Sequence, residues 1–514
     1  MSSGLRSEQA WLELARARVL RGEYAEAESA TLQALQEYPD SFELRRLLAG
    51  VHLQTRRESD AESLLRQLLI ERPHDAGSAF ALARLLIGQC RSDAAAAVMC
   101  GCFEHAHHAA TLAIQAIELL HASGRERDAS TIAARAIQAD PDDPRLHAYA
   151  GMLDIQLGEF QRARTHYLFA LEHAPQACEW HLPHGLALMQ RYGDAQHPDF
   201  ARFRDCLERD DLSDKARSTV LFALAKAHDD IGDFRQAAAY SRQANTLAHD
   251  LTQWSRKQWR RGVESRLDAH PIASGLEPQA DFVPIFVVGI PRSGTTLLAE
   301  LLARRPRICN RGESPWLAAL AQQTDLVGKP DVASLRRAAR TYAAQLQQDD
   351  TQAMHWYIDK QPLNFRYVDL MLALFPNAKV IHCRRNPRDT ALSLWMQSFH
   401  EEVQGYAYDF DDIALVMHDC ERLMARWRKL HGDSIREASY EQLVASPETV
   451  ITELATWLEL PPPEPSATAG SPASGIGTAS VWQARQPVYA RSAGRWKNYL
   501  PYLPELSRFS ADGQ

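Results

Sequence analysis

No stretch of this 514-residue chain approaches the roughly 18 consecutive apolar residues of a membrane-spanning helix, so none is expected. The N-terminal stretch MSSGLRSEQAWLELARARVL has no uninterrupted apolar core either, and no secretory signal is read there. Positive charge is not in excess: 57 Lys and Arg face 65 Asp and Glu, a formal net charge of −8, whereas a nonspecific nucleic-acid binder wants a basic surface. An anionic small ligand needs only local positive charge and is not excluded. Cysteine is sparse and scattered (Cys90, Cys100, Cys102, Cys178, Cys206, Cys309, Cys383 and Cys420). The Cys100-x-Cys102 pair has no second pair at zinc spacing, so no metal site is expected, and a reduced, cytoplasmic chain is the default. What is present is an ordinary globular composition, 45% hydrophobic and 24% charged. At this length the prior is roughly two to four domains.

The first half repeats itself. Ala27, Ala61, Ala95, Ala129 and Ala163 follow one another at steps of 34 residues, and Pro39, Pro73, Pro141 and Pro175 keep the same register, with His107 standing in once. Gly22, Gly124 and Gly158 share the phase. Small residues where helices cross, and proline closing each unit, resemble the tetratricopeptide repeat. One such hairpin cannot bury its apolar face alone, so the units are expected to stack as a solenoid. Phase is lost over 176–218 and returns at Gly232-Asp-Phe234-Arg-Gln-Ala237 as an offset unit. Helix then continues through Ser255 to Arg266. The array is assigned to residues 1–266, an aperiodic Pro/Gly/Asp stretch at 267–281 to a linker, and 282–514 to a second domain. The cluster His105, His107 and His108 reads as exposed polar residues between helices.

The second half opens on Pro284-Ile-Phe-Val-Val-Gly289, an apolar run that predicts a buried strand. Ile290-Pro-Arg292-Ser293-Gly294-Thr295-Thr296 follows as a tight loop, and Leu297 to Arg305 reads as helix. Strand, glycine loop and helix expose unpaired N–H groups at the positive end of a helix dipole, which favours an anion. The Walker A loop needs G-x-x-x-x-G-K-[ST]. Gly289 and Gly294 have that separation, but Thr295 stands where lysine should be and Arg292 supplies the charge from inside the loop. An ordinary ATPase or GTPase is therefore disfavoured.

Three later stretches carry polar residues to predicted strand ends. Pro306 to Trp316 can form a short strand that delivers Glu313 to the edge where open α/β sheets collect ligands. On local sequence alone, Glu313 reads better as a surface cap of the helix starting near Pro315. Trp356-Tyr-Ile-Asp359 reads as a strand ending at Lys360, which can face a phosphate or join a rim salt bridge. Ala378 to Cys383 is the next strand, leading into Arg385-Asn-Pro387-Arg-Asp-Thr-Ala-Leu-Ser393, with Pro387 suited to a first helical turn. Arg385 and Ser393 can converge on one phosphate, while His382 reads as packed core. Helices are expected over 331–350, Ile413 to His431 and Glu448 to Leu460. The Pro/Ala/Ser/Gly-rich stretch 461–479 reads equally as a lid or a plain linker.

The strand-loop PRSGTT and the later R-x-P-R-D-x-x-x-S element resemble the two halves of the nucleotide site of sulfotransferases that use 3′-phosphoadenosine 5′-phosphosulfate (PAPS). The likeness runs from about Phe282 to Tyr499 and is strongest to the tyrosylprotein sulfotransferase branch and to bacterial tetratricopeptide-linked members. It implies an all-α tetratricopeptide solenoid followed by an α/β domain around a central parallel sheet. It implies further that Arg292, Ser293, Gly294, Thr295 and Thr296 hold the 5′ phosphosulfate, and that Arg385 and Ser393 hold the 3′ phosphate. Glu313 takes the place of the catalytic base and Lys360 that of the lysine on the transferring group. Tyr440 matches a nucleotide-contacting tyrosine, Ser480 a serine near the sulfate, and Arg495 the position of a lysine. Pro315 and Gln397 depart from the branch, which has arginine at both places. The first departure bears on a protein-tyrosine acceptor, the second on the nucleotide site.

The implied reaction moves a sulfuryl group from PAPS, without metal, to a hydroxyl such as that of tyrosine or another phenol. A peptide tyrosine, a glycan and a small metabolite phenol are all open as acceptors, and the array either recruits a peptide or protein acceptor or only supports or dimerises the enzyme. Two rivals stand beside this reading. A P-loop kinase or NTPase would show magnesium-dependent turnover, and a peptide-binding scaffold with an inactive enzyme half would not bind adenosine 3′,5′-bisphosphate.

Overall fold

The computed structural model describes residues 7–89, 91–105, 108–314, 316–323, 326, 329–348, 350, 354–399, 402–461 and 492–509. Ser480, Cys90, His107, Pro315 and all but the first residue of the stretch read as lid or linker lie outside the described residues. The chain forms two compact units, Met1–Ala150 and Gly151–Gln514. Among the described residues no helix is long and apolar enough to cross a membrane.

The first unit is built of helical hairpins, beginning with Glu8–Leu20 against Tyr24–Glu37 and Phe42–Gln54 against Glu58–Glu71. The repeat positions Ala27, Ala61, Ala95 and Ala129 are each fully buried. A larger side chain there would push the two helices of a hairpin apart. Turns between helices need a left-handed residue, and Gly22 and Gly124 supply it at φ 75°. Arg56, at the same register as Gly22, takes φ 61° without the help of a missing Cβ.

The second unit continues the period at Ala163, then breaks it with a 3₁₀ turn Pro175–Trp180 and the helices Leu182–Leu188 and Pro198–Leu207. Cys178 and Cys206 are joined there by a disulfide, which corrects the expectation of eight unlinked, reduced cysteines. Their separation of 28 residues carries no motif that would have announced the bond. Asp199, inside the break, is fully buried and accepts two bonds from Arg164, at 2.8 and 2.9 Å, and one from Tyr192 at 2.9 Å. The hairpin Asp214–Asp230 and Phe234–Leu251 then turns at Gly232, φ 81°.

Helix Arg256–Asp268 buries Trp259 and Val263 in the same core as the sheet. The Trp259 indole donates to Asp419 at 3.0 Å, and Arg256 reaches Asp412 at 2.5 Å. Residues 269–280 carry no helix or strand, yet the Ser274 hydroxyl donates to the Ala373 carbonyl at 2.7 Å, and Ile272 and Leu276 pack on the core.

Five strands form one parallel sheet: β1 Val283–Gly289, β2 Ile308–Asn310, β3 Trp356–Asp359, β4 Lys379–Arg384 and β5 Ile435–Ser439. Their order is β2-β3-β1-β4-β5, so the chain leaves β1 toward one edge and later returns to its other side. Ligands of open α/β sheets collect outside the carboxyl ends of the strands where the order reverses in this way. Alternate residues of β1 serve the two faces, as strand geometry requires. Phe286 and Val288 pack with Tyr342 and Trp427 in one core, and Ile285 and Val287 with Leu298, Leu302 and Leu454 in the other. Helices Val332–Gln347, Phe410–His431 and Pro447–Trp457 match the expected ones within a few residues. The helix after the glycine loop starts at Thr295 and ends at Leu302, earlier at both ends than the sequence suggested.

Candidate active site

Each strand of the sheet delivers one piece of the site at its carboxyl end, in spatial order. Past β2 stands Glu313, past β3 Lys360, past β1 the glycine loop, past β4 Arg385 and past β5 Tyr440. The loop 290–294 is set by backbone requirements. Gly289 at φ 144° and Gly294 at φ 97° lie in the left-handed half of conformational space. A Cβ on Gly289 would fall 2.5 Å from the Cys383 carbonyl oxygen, and one on Gly294 2.5 Å from the Tyr440 ring. Between them Arg292 itself adopts φ 72°, a rare conformation for a residue with a side chain. Gly294 caps the helix Thr295–Leu302, so its unpaired N–H groups open toward the loop.

The two halves of the motif meet. The Arg292 Nε donates to the Ser393 hydroxyl at 3.1 Å, 101 residues along the chain. The Arg385 guanidinium donates to the Arg292 carbonyl at 2.9 Å and to the Ser492 carbonyl at 2.6 Å. It also lies over the Tyr440 ring, 4.5 Å from the centroid. Burial holds the Arg385 side chain below the usual arginine range, the mark of a cation with little water around it. Its Nε is buried with no partner among the described residues, and so is the hydroxyl of Ser293, a residue 2% exposed. Buried polar atoms without partners are rare in folded chains. Two of them beside one glycine loop at the head of a helix fit an oxyanion ligand. Thr295 and Thr296 are buried at the head of the helix.

On the other side of the loop Lys360 is buried, 2% exposed, and its ammonium pairs with the Glu313 carboxylate. The Lys360 N–H donates to the Gly312 carbonyl at 2.9 Å, tying the ends of β2 and β3 together. Glu313 therefore does not serve as a surface helix cap, the better reading of its local sequence. The Glu313 side chain keeps 22% exposure, so one end of the pair meets solvent. Beneath it Asp359 is buried, accepts from the Tyr342 hydroxyl, and is pushed up to about 7 by that burial. His382 is fully enclosed in β4 against Cys420 and drops to about 4 through desolvation, as a packed core residue should.

Arg495 points elsewhere. Its guanidinium pairs with Asp229 at 2.7 Å and touches the Met396 sulfur at 3.4 Å. Several supporting residues escaped the sequence reading. Asn386 caps the helix Pro387–Trp395, and its backbone N–H donates to Glu441 at 2.9 Å. An Asn before Pro at a helix start is a recognisable cap, so this one was findable. Asp389 accepts from the N–H groups of Gly494 at 2.6 Å and Trp496 at 3.0 Å. Asp389 stands inside the R-x-P-R-D-x-x-x-S element, but nothing in the local sequence announces Ser492 or Asp229, because their partners lie more than a hundred residues away.

Residues 284–464 match the profile of the sulfotransferase family, and residues 19–77 that of the tetratricopeptide repeat. An uncharacterized protein of Aquifex aeolicus is 29% identical over 320 residues, 58% of this chain and 42% of its own length. The protein-tyrosine sulfotransferase of Drosophila melanogaster is 25% identical over 193 residues, 34% of this chain and 38% of its own. The matches thus span about two fifths of the length of these curated relatives. The sulfotransferase domain of the Synechococcus PCC 7002 olefin synthase superposes with a TM-score of 0.34 at 20% identity, covering 48% of this chain and 100% of that domain. With the repeats at one end and the matched sheet domain at the other, this chain is a tetratricopeptide array joined to a domain of the sulfotransferase family.

Proposed function

We propose that the chain transfers a sulfuryl group from PAPS to an acceptor hydroxyl. The observation that carries the proposal is the convergence of Arg292, Ser393 and Arg385 at the glycine loop, beside the Glu313–Lys360 pair. On this reading Arg292, Ser293, Gly294, Thr295 and Thr296 bind the 5′ phosphosulfate, and Arg385 with Ser393 binds the 3′ phosphate. The unpartnered Ser293 hydroxyl and Arg385 Nε support that assignment, since both need an acceptor or a charge partner. Tyr440 supports Arg385 from below. Arg495, engaged with Asp229, would act on the nucleotide only by holding the segment around it.

The donor supplies an activated sulfuryl group and leaves as adenosine 3′,5′-bisphosphate. Glu313 takes the proton from the acceptor hydroxyl as the new O–S bond forms, a role worth about 10²–10⁴-fold in rate. Lys360 holds the carboxylate in place through their ion pair and offers its ammonium to charge developing on the sulfuryl oxygens. Arg292 and the loop N–H groups add preorganised donors, usually the larger contribution. Ser480 takes its place near the sulfate on the resemblance alone.

The activity for which the Drosophila relative is named favours a tyrosine or another phenol as acceptor, presented by a peptide or protein that the array recruits. Two measurements test the reading. Calorimetric titration with adenosine 3′,5′-bisphosphate should show binding without added magnesium. Radiolabelled PAPS with host lysate should then label an acceptor. Absence of binding, or turnover of ATP that requires magnesium, would sink the donor assignment.

A further inference from the structure

The last helical hairpin reaches into the nucleotide end of the site. Asp229 lies in the final turn of helix Asp214–Asp230. One of its carboxylate oxygens accepts from the Tyr499 hydroxyl at 2.5 Å, and the other pairs with Arg495 at 2.7 Å. Tyr499 is fully buried, with its ring 5.2 Å from that of Phe234 on the second helix of the hairpin. The segment 492–499 is therefore gripped from two sides, by Asp229 of the hairpin and by Asp389 of the helix that carries Ser393. The start of this segment provides the Ser492 carbonyl, which accepts from Arg385 at 2.6 Å. Among the described residues Arg385 has one other hydrogen-bond acceptor, the Arg292 carbonyl, and no ion pair with a carboxylate. Its direction is set by these two backbone carbonyls and by the Tyr440 ring it lies over, and the Ser492 carbonyl is only as fixed as the segment around it.

We infer that Asp229, a residue of the helical half, is a positioning residue for the 3′-phosphate end of the site: it fixes the 492–499 segment whose carbonyl aims Arg385. The inference rests on the donor reading above. Losing the carboxylate leaves the Arg495 charge unpaired and the Tyr499 hydroxyl without its acceptor. The segment is then released from one of its two holds. The loop residues at the 5′ end make no contact with Asp229 and keep their geometry.

The test compares two nucleotides on the full chain by calorimetric titration. Adenosine 3′,5′-bisphosphate carries the 3′ phosphate, and adenosine 5′-phosphosulfate lacks it. Asp229→Asn should weaken the first by about tenfold and the second by less than about twofold. Tyr499→Phe keeps the ion pair and loses one hydrogen bond, and should weaken the first by about threefold with the second unmoved. Melting curves report whether each variant folds. If Asp229→Asn does not, Tyr499→Phe decides the matter by the same ratio. Equal loss for both nucleotides, or no loss for either, overturns the positioning role while leaving the donor reading intact. A wild-type chain that binds neither nucleotide overturns both.

Discussion

In the hairpins up to residue 150 the charged groups pair across the surface. Arg45 meets Glu71 at 2.6 Å with side chains 21% and 43% exposed, and Arg91 meets Glu62 at 2.7 Å with 43% and 18%. From residue 151 several carboxylates turn inward, beside others that still pair at the surface. Asp199 is fully buried under Arg164 and Tyr192, Asp229 holds Arg495 and Tyr499, and Asp419 receives the Trp259 indole. The Asn245 amide even donates to the Trp395 carbonyl, 150 residues away and two past Ser393. The same helical period thus serves two purposes. A surface ion pair adds about 0–1 kcal/mol, whereas removing a buried carboxylate from its donors alone costs about 3–5 kcal/mol, because it strands a buried charge.

This contrast can be broken or sharpened by measurement. The largest expected effect lies at the sheet edge. Glu313→Ala or Lys360→Ala should each lower transfer by about 10²–10⁴-fold while circular dichroism stays that of the wild type. Arg45→Ala in the array should leave transfer of a small phenol unchanged. Retained activity in both edge variants would remove the mechanism.

Next in size is stability in the second unit. Asp199→Ala strips the charge partner from Arg164 and should lower the unfolding free energy by about 3–5 kcal/mol in denaturant titrations. Arg45→Ala should cost less than about 0.5 kcal/mol. Similar losses in the two would mean that the inward carboxylates are not special.

A pH series probes the same idea beneath the active site. Asp359, facing Tyr342, Lys360 and Glu313, is pushed up to about 7 by burial. An unfolded aspartate ionises near 3.9, so between about 3.9 and 7 the unfolded chain releases the proton first. Wild-type stability should therefore fall as pH rises through that window. Asp359→Asn removes the cost, by roughly 2–4 kcal/mol at pH 8 and by little at pH 4. Melting temperatures of both proteins across the range give the slope; parallel curves would refute the assignment. Last, reducing the Cys178–Cys206 bond opens a loop of 28 residues and should cost about 3 kcal/mol, in the second unit only. Thiol titration of the unfolded chain should find two cysteines fewer than the eight of the sequence.

Much of this architecture was legible because it is periodic or locally apolar. The five repeat alanines at steps of 34 residues are fully buried in the structure, and the apolar run before Gly289 is the central strand. Glu313, Lys360 and Arg385 could each be placed at a strand end because the residues before them read as strand, whereas Tyr440 was reached only through the resemblance of its motif. β5 went unread: Ile435-Arg-Glu-Ala-Ser439 buries only Ile435 and Ala438, and a charged edge strand leaves no apolar run. The stretch 267–281 read as a spacer because it lacks periodicity, but single side chains such as Ser274 and Leu276 anchor it without any. Asp229 and Ser492 were invisible for another reason. Their meaning comes from partners 107 to 270 residues distant, and no window along the chain contains both members of a pair.

The burial of Trp259 beside Asp419 has a practical consequence for anyone wishing to transplant the sheet domain into another scaffold. A cut at the aperiodic stretch after residue 268 would look natural on paper, but it would tear a tryptophan out of that domain's interior and leave a raw apolar trench on the excised piece. A graft that keeps everything from Gly151 onward carries its own stopper with it.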